Sequence, residues 1–304
     1  MTIYKLDDSI LSYVDEKPFK LEKDIQNLCE QNLESLLGLE LVKSEFTVGN
    51  YRIDSLAYDK AQNSFVIIEY KRSDSRSVVD QGYAYLSTML NNKADFVLEY
   101  NESRKTPLRK NNVEWSQSKV IFIAPSFNAY QKEAINFKDL PIELWEIKRY
   151  ANNVVSFVQI NPINSTESIN TIKRDNKAIE KVNSEIKVYS EKYHLDGKPQ
   201  EIIELYDNLK SYVLNFGDDV VIRAKKYYIG FIKKTNFCDI KFTRNNIKIY
   251  LNLKFGQLND PMKLARDVSK IGTTGNGDYE ILLFSTENLE YIVGLIKQSY
   301  NNKL

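Results

Sequence analysis

The chain has 304 residues, with 42 Lys+Arg against 41 Asp+Glu for a formal net charge of +1, 42% hydrophobic residues, one histidine and two cysteines. That length gives room for about two domains, each able to bury a core, and the apolar content excludes wholesale disorder. The lone His194 excludes a His-rich metal site and a Ser-His-Asp hydrolase, and with no Gly-x-x-x-x-Gly-Lys-Ser/Thr loop an intrinsic ATPase is excluded as well.

The start, MTIYKLDDSIL, carries acids where a secretory signal needs a basic region, and no apolar run approaches the roughly 18 residues that span a bilayer. A cytoplasmic protein without a membrane segment is expected. Cys29 and Cys238 fall in apolar patterns and read as buried thiols of a reducing compartment. Residues 19–42 read as a helix with Leu21, Ile25, Leu28, Cys29 and Leu33 inward and Glu22 in its first turn, where an acid is favoured by the helix dipole alone.

Two strand-like runs follow, Tyr51–Tyr58 and Ser64–Lys71, separated by a polar connection, and they predict an antiparallel hairpin. If Asp54 lies opposite Glu69, then Tyr58 lies opposite Phe65. Side chains alternate faces along a strand, so Glu69 and Lys71 share a face, and a directly opposed Asp54 brings a second carboxylate within about 5 Å. Two carboxylates at that distance repel, unless a hard cation such as Mg²⁺ (or Mn²⁺) is held between them. Lys71 beside such a centre suits orienting a water or offsetting charge on a phosphate. A solvated cross-strand ion pair is the plainer alternative. Glu-x-Lys recurs at Glu146 and Glu185, but only the copy at Glu69 follows a buried-looking strand with an aspartate in the strand before it.

Downstream, residues 77–92 have helical periodicity, with Gln81 and Tyr85 on one face. ADFVLEY, KVIFIAPSF, PIELWEI and NVVSFVQI read as strands of a mixed sheet, and residues 128–140 as a helix. Residues 163–198 turn polar, with sparse apolar positions, and read as a partly helical linker. From Pro199 the pattern is globular again: a helix at 201–216, strands within 220–255, a helix near 261–270, a glycine-rich turn with Gly272, Gly275 and Gly277, a strand at 280–284 and a final helix at 288–300. The glycines read as a hairpin-type turn more readily than as a phosphate cradle. Lys225, Lys226, Tyr227 and Tyr228 mix charge with aromatics as nucleic-acid surfaces do, and a solvated strand explains them equally. Residues 1–162 carry 20 Lys+Arg and 23 Asp+Glu and the remainder 22 and 18, so neither half is a strongly basic arm.

Taken together, Glu22, GNYRIDSLAYD, FVIIEYKR and DQGYAYL resemble the DUF91 or NucS-like branch of the PD-(D/E)XK nuclease superfamily, and the Gln81-x-x-x-Tyr85 spacing is similar to that of its RecB-like members. The resemblance covers roughly residues 17–100; Ile53 stands where the superfamily's name has proline. It implies a restriction-endonuclease-like α/β core, with a mixed central sheet flanked by helices, over residues 1–162. By the same resemblance Asp54, Glu69, Glu22 and the backbone carbonyl of Tyr70 bind the metal, Lys71 assists the water, and Gln81 and Tyr85 support the site. Arg52 and Arg72, with Gln81, are then the expected contacts to DNA, although Arg52 pairing with a neighbouring acid is as good a reading. The order of elements in 199–304 resembles a small α+β domain of unknown function often joined to such nucleases, suited to nucleic-acid recognition or to pairing two copies as a homodimer. The expected activity is metal-dependent cleavage of DNA. A nuclease-fold protein that binds nucleic acid or a protein without cutting is the alternative.

Overall fold

The computed structural model describes residues 2–72, 77–105, 107–137, 139–162, 177–271 and 275–303, and the chain divides into two compact units, Met1–Val188 and Tyr189–Leu304. The first opens with an exposed hairpin, β1 (Tyr4–Asp7) and β2 (Ile10–Tyr13), that the sequence reading did not anticipate. Then come α1 (Glu22–Gln31), α2 (Leu33–Leu37), β3 (Glu40–Val48), β4 (Tyr51–Asp59), β5 (Ser64–Tyr70), α3 (Val78–Asn91), α4 (Lys93–Arg104), β6 (Lys119–Ala124), α5 (Ala129–Ala134), β7 (Ile142–Arg149), β8 (Val155–Ile160) and α6 (Lys177–Glu185).

Strands β3 to β8 form one sheet in sequence order. The β3–β4, β4–β5 and β7–β8 pairs are antiparallel, whereas β5–β6 and β6–β7 are parallel, so the sheet is mixed. All seven residues of β5 are buried, as a central strand covered on both faces must be. Alternation sorts its side chains. Phe65 and Ile67 join Leu56, Phe122 and Leu144 under α3, α4 and α6, while Val66, Ile68 and Tyr70 pack with Ile25 and Cys29 of α1. Glycine matters at Gly82, where a Cβ would stand 2.5 Å from the Ile142 side chain; its absence lets α3 lie close against β7.

Three local readings are corrected. The helix expected over 19–42 breaks at Asn32 and stops at Gly38, whose φ of 67° closes α2, and Glu40 begins β3, an edge strand. ADFVLEY is not a strand but lies in α4; Phe96, Val97 and Tyr100 are its buried residues, a helical spacing hidden within a β-rich composition. Near 261–270 the helix is replaced by a short strand, β13 (Ala265–Asp267), paired with β14 (Tyr279–Leu283).

The polar stretch 163–198 divides. Residues 163–176 lie outside the described residues, while α6 belongs to the first unit: Ile179, Val182 and Ile186 join its core and Tyr83 of α3 donates to Asn183 Oδ1 at 2.9 Å. The second unit begins with α7 (Glu191–Leu195) and α8 (Gln200–Leu214). Its sheet has the order β13-β14-β12-β11-β10-β9, the remaining strands being β9 (Val221–Ala224), β10 (Ile229–Ile232), β11 (Asn236–Phe242) and β12 (Ile247–Leu251). With α8 and α9 (Leu289–Asn301) it encloses its own core. Gly272 lies outside the described residues. Gly277 has a φ of 94°, and a Cβ there would meet the Leu251 carbonyl at 1.9 Å, so the turn needs glycine for steric reasons.

Candidate active site

The β4–β5 ladder runs from Asp59↔Ser64 through Tyr58↔Phe65 to Ser55↔Ile68 and ends there. One step beyond, the strands part. The Tyr70 amide donates to Asp54 Oδ2 at 3.0 Å, so a side-chain carboxylate accepts an N–H from the neighbouring strand where the ladder has ended. Tyr70 and Lys71 still follow β6, the Lys71 amide donating to the Ile123 carbonyl. Asp54 follows the alternation of Leu56, and Glu69 that of Ile67, so both belong to the face beneath α3.

Glu69 is the centre of the arrangement and is only 5% exposed. Its Oε1 accepts Lys71 Nζ at 2.7 Å and Gln81 Nε2 at 3.1 Å. Gln81 also donates to Tyr85 Oη at 3.0 Å, using the four-residue spacing of α3, and Tyr51 of β4 meets the Tyr85 ring edge-on at 5.7 Å. Glu69 Oε2 is buried with no hydrogen-bond partner. An orphaned carboxylate oxygen of this kind is rare in a buried position and calls for an explanation, of which a water, an ion or a catalytic role are the ordinary ones.

The electrostatics agree with the geometry. Burial pushes the Asp54 carboxyl up to about 6; the Glu69 charge adds to the rise, while the Tyr70 amide and Lys71 oppose it. The Tyr85 hydroxyl is also raised, first by burial and then by Glu69. Asp54 thus occupies a partly desolvated place where the Glu69 charge disfavours its own, with the Lys71 ammonium acting against that. Among the described residues no group of three or more His, Cys, Asp or Glu side chains is gathered to hold a metal ion. The available side-chain donors are the two carboxylates, Asp54 and Glu69. They fit Mg²⁺, which keeps several waters and needs only one or two carboxylates from the protein.

Of the residues singled out in the sequence, Asp54, Glu69, Tyr70, Lys71, Gln81 and Tyr85 are brought together. Glu22 is not part of an acid cluster. It opens α1 on the other face of the sheet and accepts the Arg72 amide at 2.9 Å, tying the exit of β5 to the helix. The Arg72 guanidinium donates to the Lys20 carbonyl, and Arg52 takes its alternative reading, pairing with Glu45 at 2.9 Å. The other Glu-x-Lys copies have structural partners: Glu146 pairs with Lys132 and Glu185 with Lys93.

Two contributors escaped the sequence reading. Gln26, buried on α1, donates to the Asp54 carbonyl at 2.8 Å and to Ser44 Oγ at 3.2 Å, holding β4 where it leaves β5. Its signal was the four-residue spacing from Glu22. Glu45 adopts a left-handed φ of 55° between the Ser44↔Ser55 and Phe46↔Ile53 pairs, which places it across from Asp54. Lys23 and Arg52 pair with it, and its charge adds to the rise of Asp54. Nothing in the local pattern announces a left-handed glutamate within a strand.

A family model described as a domain of unknown function (DUF5655) matches residues 191–303. A Haemophilus influenzae protein described as uncharacterized is 49% identical over 299 residues, covering 98% of this chain and 99% of its own. Among solved structures, a repair endonuclease from Pyrococcus abyssi matches at 20% identity and a TM-score of 0.22, over 38% of this chain and 43% of that one. EndoMS in complex with dsDNA matches at 13% identity and a TM-score of 0.24, over 48% of this chain and 64% of that one. Both solved matches span less than two thirds of the known chain.

Proposed function

The chain belongs, along nearly its whole length, to the family of the Haemophilus influenzae protein, and for it we propose metal-dependent hydrolysis of phosphodiester bonds in DNA. The observation that carries this reading is the buried Glu69 carboxylate, with one oxygen fixed by Lys71 and Gln81 and the other unpartnered, beside an Asp54 raised in pKa. Leaving that oxygen unsatisfied costs about 1–3 kcal/mol or more for a charged group, and a dication at Asp54 and Glu69 removes both this cost and the repulsion. Mg²⁺ or Mn²⁺ bound there would act as a Lewis acid toward a phosphate oxygen and lower the pKa of a bound water.

The protein's own groups have separable roles. Lys71 sets its ammonium on the carboxylate face, suited to orienting a water or meeting charge on a phosphate. Gln81 fixes the Glu69 rotamer from α3, and Tyr85 holds Gln81 in turn. In this reading the first unit is a restriction-endonuclease-like core of the PD-(D/E)XK kind, in which the parting of β4 from β5 opens the site. The buried, unpaired Cys29 and Cys238 suit a cytoplasmic setting, and no helix of the described residues is long and apolar enough to cross a membrane.

Cleavage of single-stranded, double-stranded and branched DNA, and of RNA, with Mg²⁺ and with Mn²⁺ tests the proposal. Glu69→Gln and Lys71→Ala are each expected to lower the rate by about 10²–10³-fold or more with the melting profile retained. Undiminished cleavage by Glu69→Gln would assign the activity elsewhere.

A further inference from the structure

The β1–β2 hairpin carries Tyr4, Leu6, Ile10, Leu11 and Tyr13, all of them more than half exposed. Its register pairs Tyr4↔Tyr13, Lys5↔Ser12, Leu6↔Leu11 and Asp7↔Ile10, and alternation along each strand sorts the side chains. Tyr4, Leu6, Leu11 and Tyr13 share one face. Lys5, Asp7, Ile10 and Ser12 share the other, where Lys5 pairs with Asp7 at 2.8 Å. The first face therefore holds no charged group, and its only polar atoms are the two tyrosine hydroxyls.

The hairpin is held in this form by local features. Asp8 and Ser9 take φ values of 43° and 71°, the left-handed pair that a two-residue turn needs to match the twist of its strands. Val14 is buried at its base and its amide donates to the Ile3 carbonyl at 3.0 Å, while the Tyr4 and Tyr13 rings meet edge-on at 6.0 Å. Among the described residues no third strand joins β1 and β2. A two-stranded hairpin is marginally stable in water by itself, so an apolar face left open on one calls for a cover.

We infer that this face is an isologous contact between two copies of the chain, stacked hairpin on hairpin. The face is its own complement, because each strand contributes one leucine and one tyrosine. A two-fold axis lying between the stacked faces and across the strands sets the leucine pair of each copy against the tyrosine pair of the other, small against large. Tyr4, Leu6, Leu11 and Tyr13 are exposed by 53, 65, 63 and 58%. Together they offer about 500 Å² per copy, so stacking removes about 1,000 Å² from water, the lower bound for a specific interface. A nucleic-acid backbone calls for cations, and the face has none; an anionic bilayer would meet Asp7 and Asp8 at the tip of the hairpin. The contact lies apart from Asp54 and Glu69 in the chain and requires no cleavage.

Sedimentation velocity of the full chain over about 1–200 μM tests it. The mean mass should rise from 35.4 kDa toward twice that value. Leu6→Thr/Leu11→Thr keeps the strand preference while trimming the apolar face, and should weaken association by more than about 100-fold. Lys5→Thr, on the opposite face, should associate as the wild type does. These positions are exposed, so each variant should keep the cooperative melt of the wild type. A wild type that stays monomeric at the highest concentration, or a double variant that associates undiminished, overturns the inference. So does flotation of a monomeric wild type with phosphatidylcholine vesicles, which would give the face to a membrane.

Discussion

At pH 8 and without divalent metal, Asp54→Asn is expected to unfold at a higher temperature than the wild type, although it removes a native hydrogen-bonding carboxylate. The folded protein lifts the Asp54 carboxyl from its ordinary 3.8 to about 6, chiefly by burial and by the Glu69 charge. Each pKa unit is worth about 1.36 kcal/mol, so the ionised form costs the fold up to about 3 kcal/mol, less whatever solvent screening removes at a half-buried group. Because the folded pKa is raised, the stability associated with the protonated acid is fully present below about 3.8 and is lost as pH climbs through about 6. The advantage of the amide should then be about 1 kcal/mol at pH 4.5 and approach 3 kcal/mol at pH 8. For a unit of this size that corresponds to roughly 2–4 °C and 6–12 °C. Asparagine keeps an oxygen to accept the Tyr70 amide. Both tryptophans, Trp115 and Trp145, lie in the first unit, so their fluorescence follows its melting without interference from the second. A difference independent of pH, or a less stable variant at pH 8, would refute the account of two mutually repelling acids.

Other outcomes are equally specific. Tyr83→Phe removes the hydroxyl that ties α3 to Asn183 of α6 and should cost about 1 kcal/mol in urea unfolding followed by the same fluorescence. Gly277→Ala sets a methyl against the Leu251 carbonyl at a φ of 94° and should destabilise the second unit by about 2–5 kcal/mol, read by circular dichroism of residues 189–304. Those residues enclose a core of their own and are expected to fold cooperatively when expressed alone; a non-cooperative melt of the fragment would count against that. Added Mn²⁺ should raise the melting temperature of the wild type more than that of Asp54→Asn, in line with binding of the ion by the native carboxylate.

The hairpin was legible because its information is local. Alternation fixes which side chains share a face, and the connection length fixes the pairing, so Tyr58 opposite Phe65 and the common face of Glu69 and Lys71 could be derived from spacing. Gln81 and Tyr85 were legible for the same reason, since a helix places residues four apart together. The strand assignment of ADFVLEY failed because its composition favours strands while its burial follows a helix packed on the sheet. For Glu22 the first-turn position is readable from sequence, but its bond to the Arg72 amide at the exit of β5 depends on how α1 is docked.

By itself the sequence determined which charges are available and which of them lie on common strand and helix faces, because those periodicities are properties of the backbone. Tertiary structure alone decided that β4 parts from β5 at Asp54, that Gln26 reaches across from α1, that Glu45 turns left-handed beside it, and that one oxygen of Glu69 is buried without a partner. Each of these depends on desolvation and on contacts between segments far apart in the chain, and such contacts leave no periodic trace in either segment.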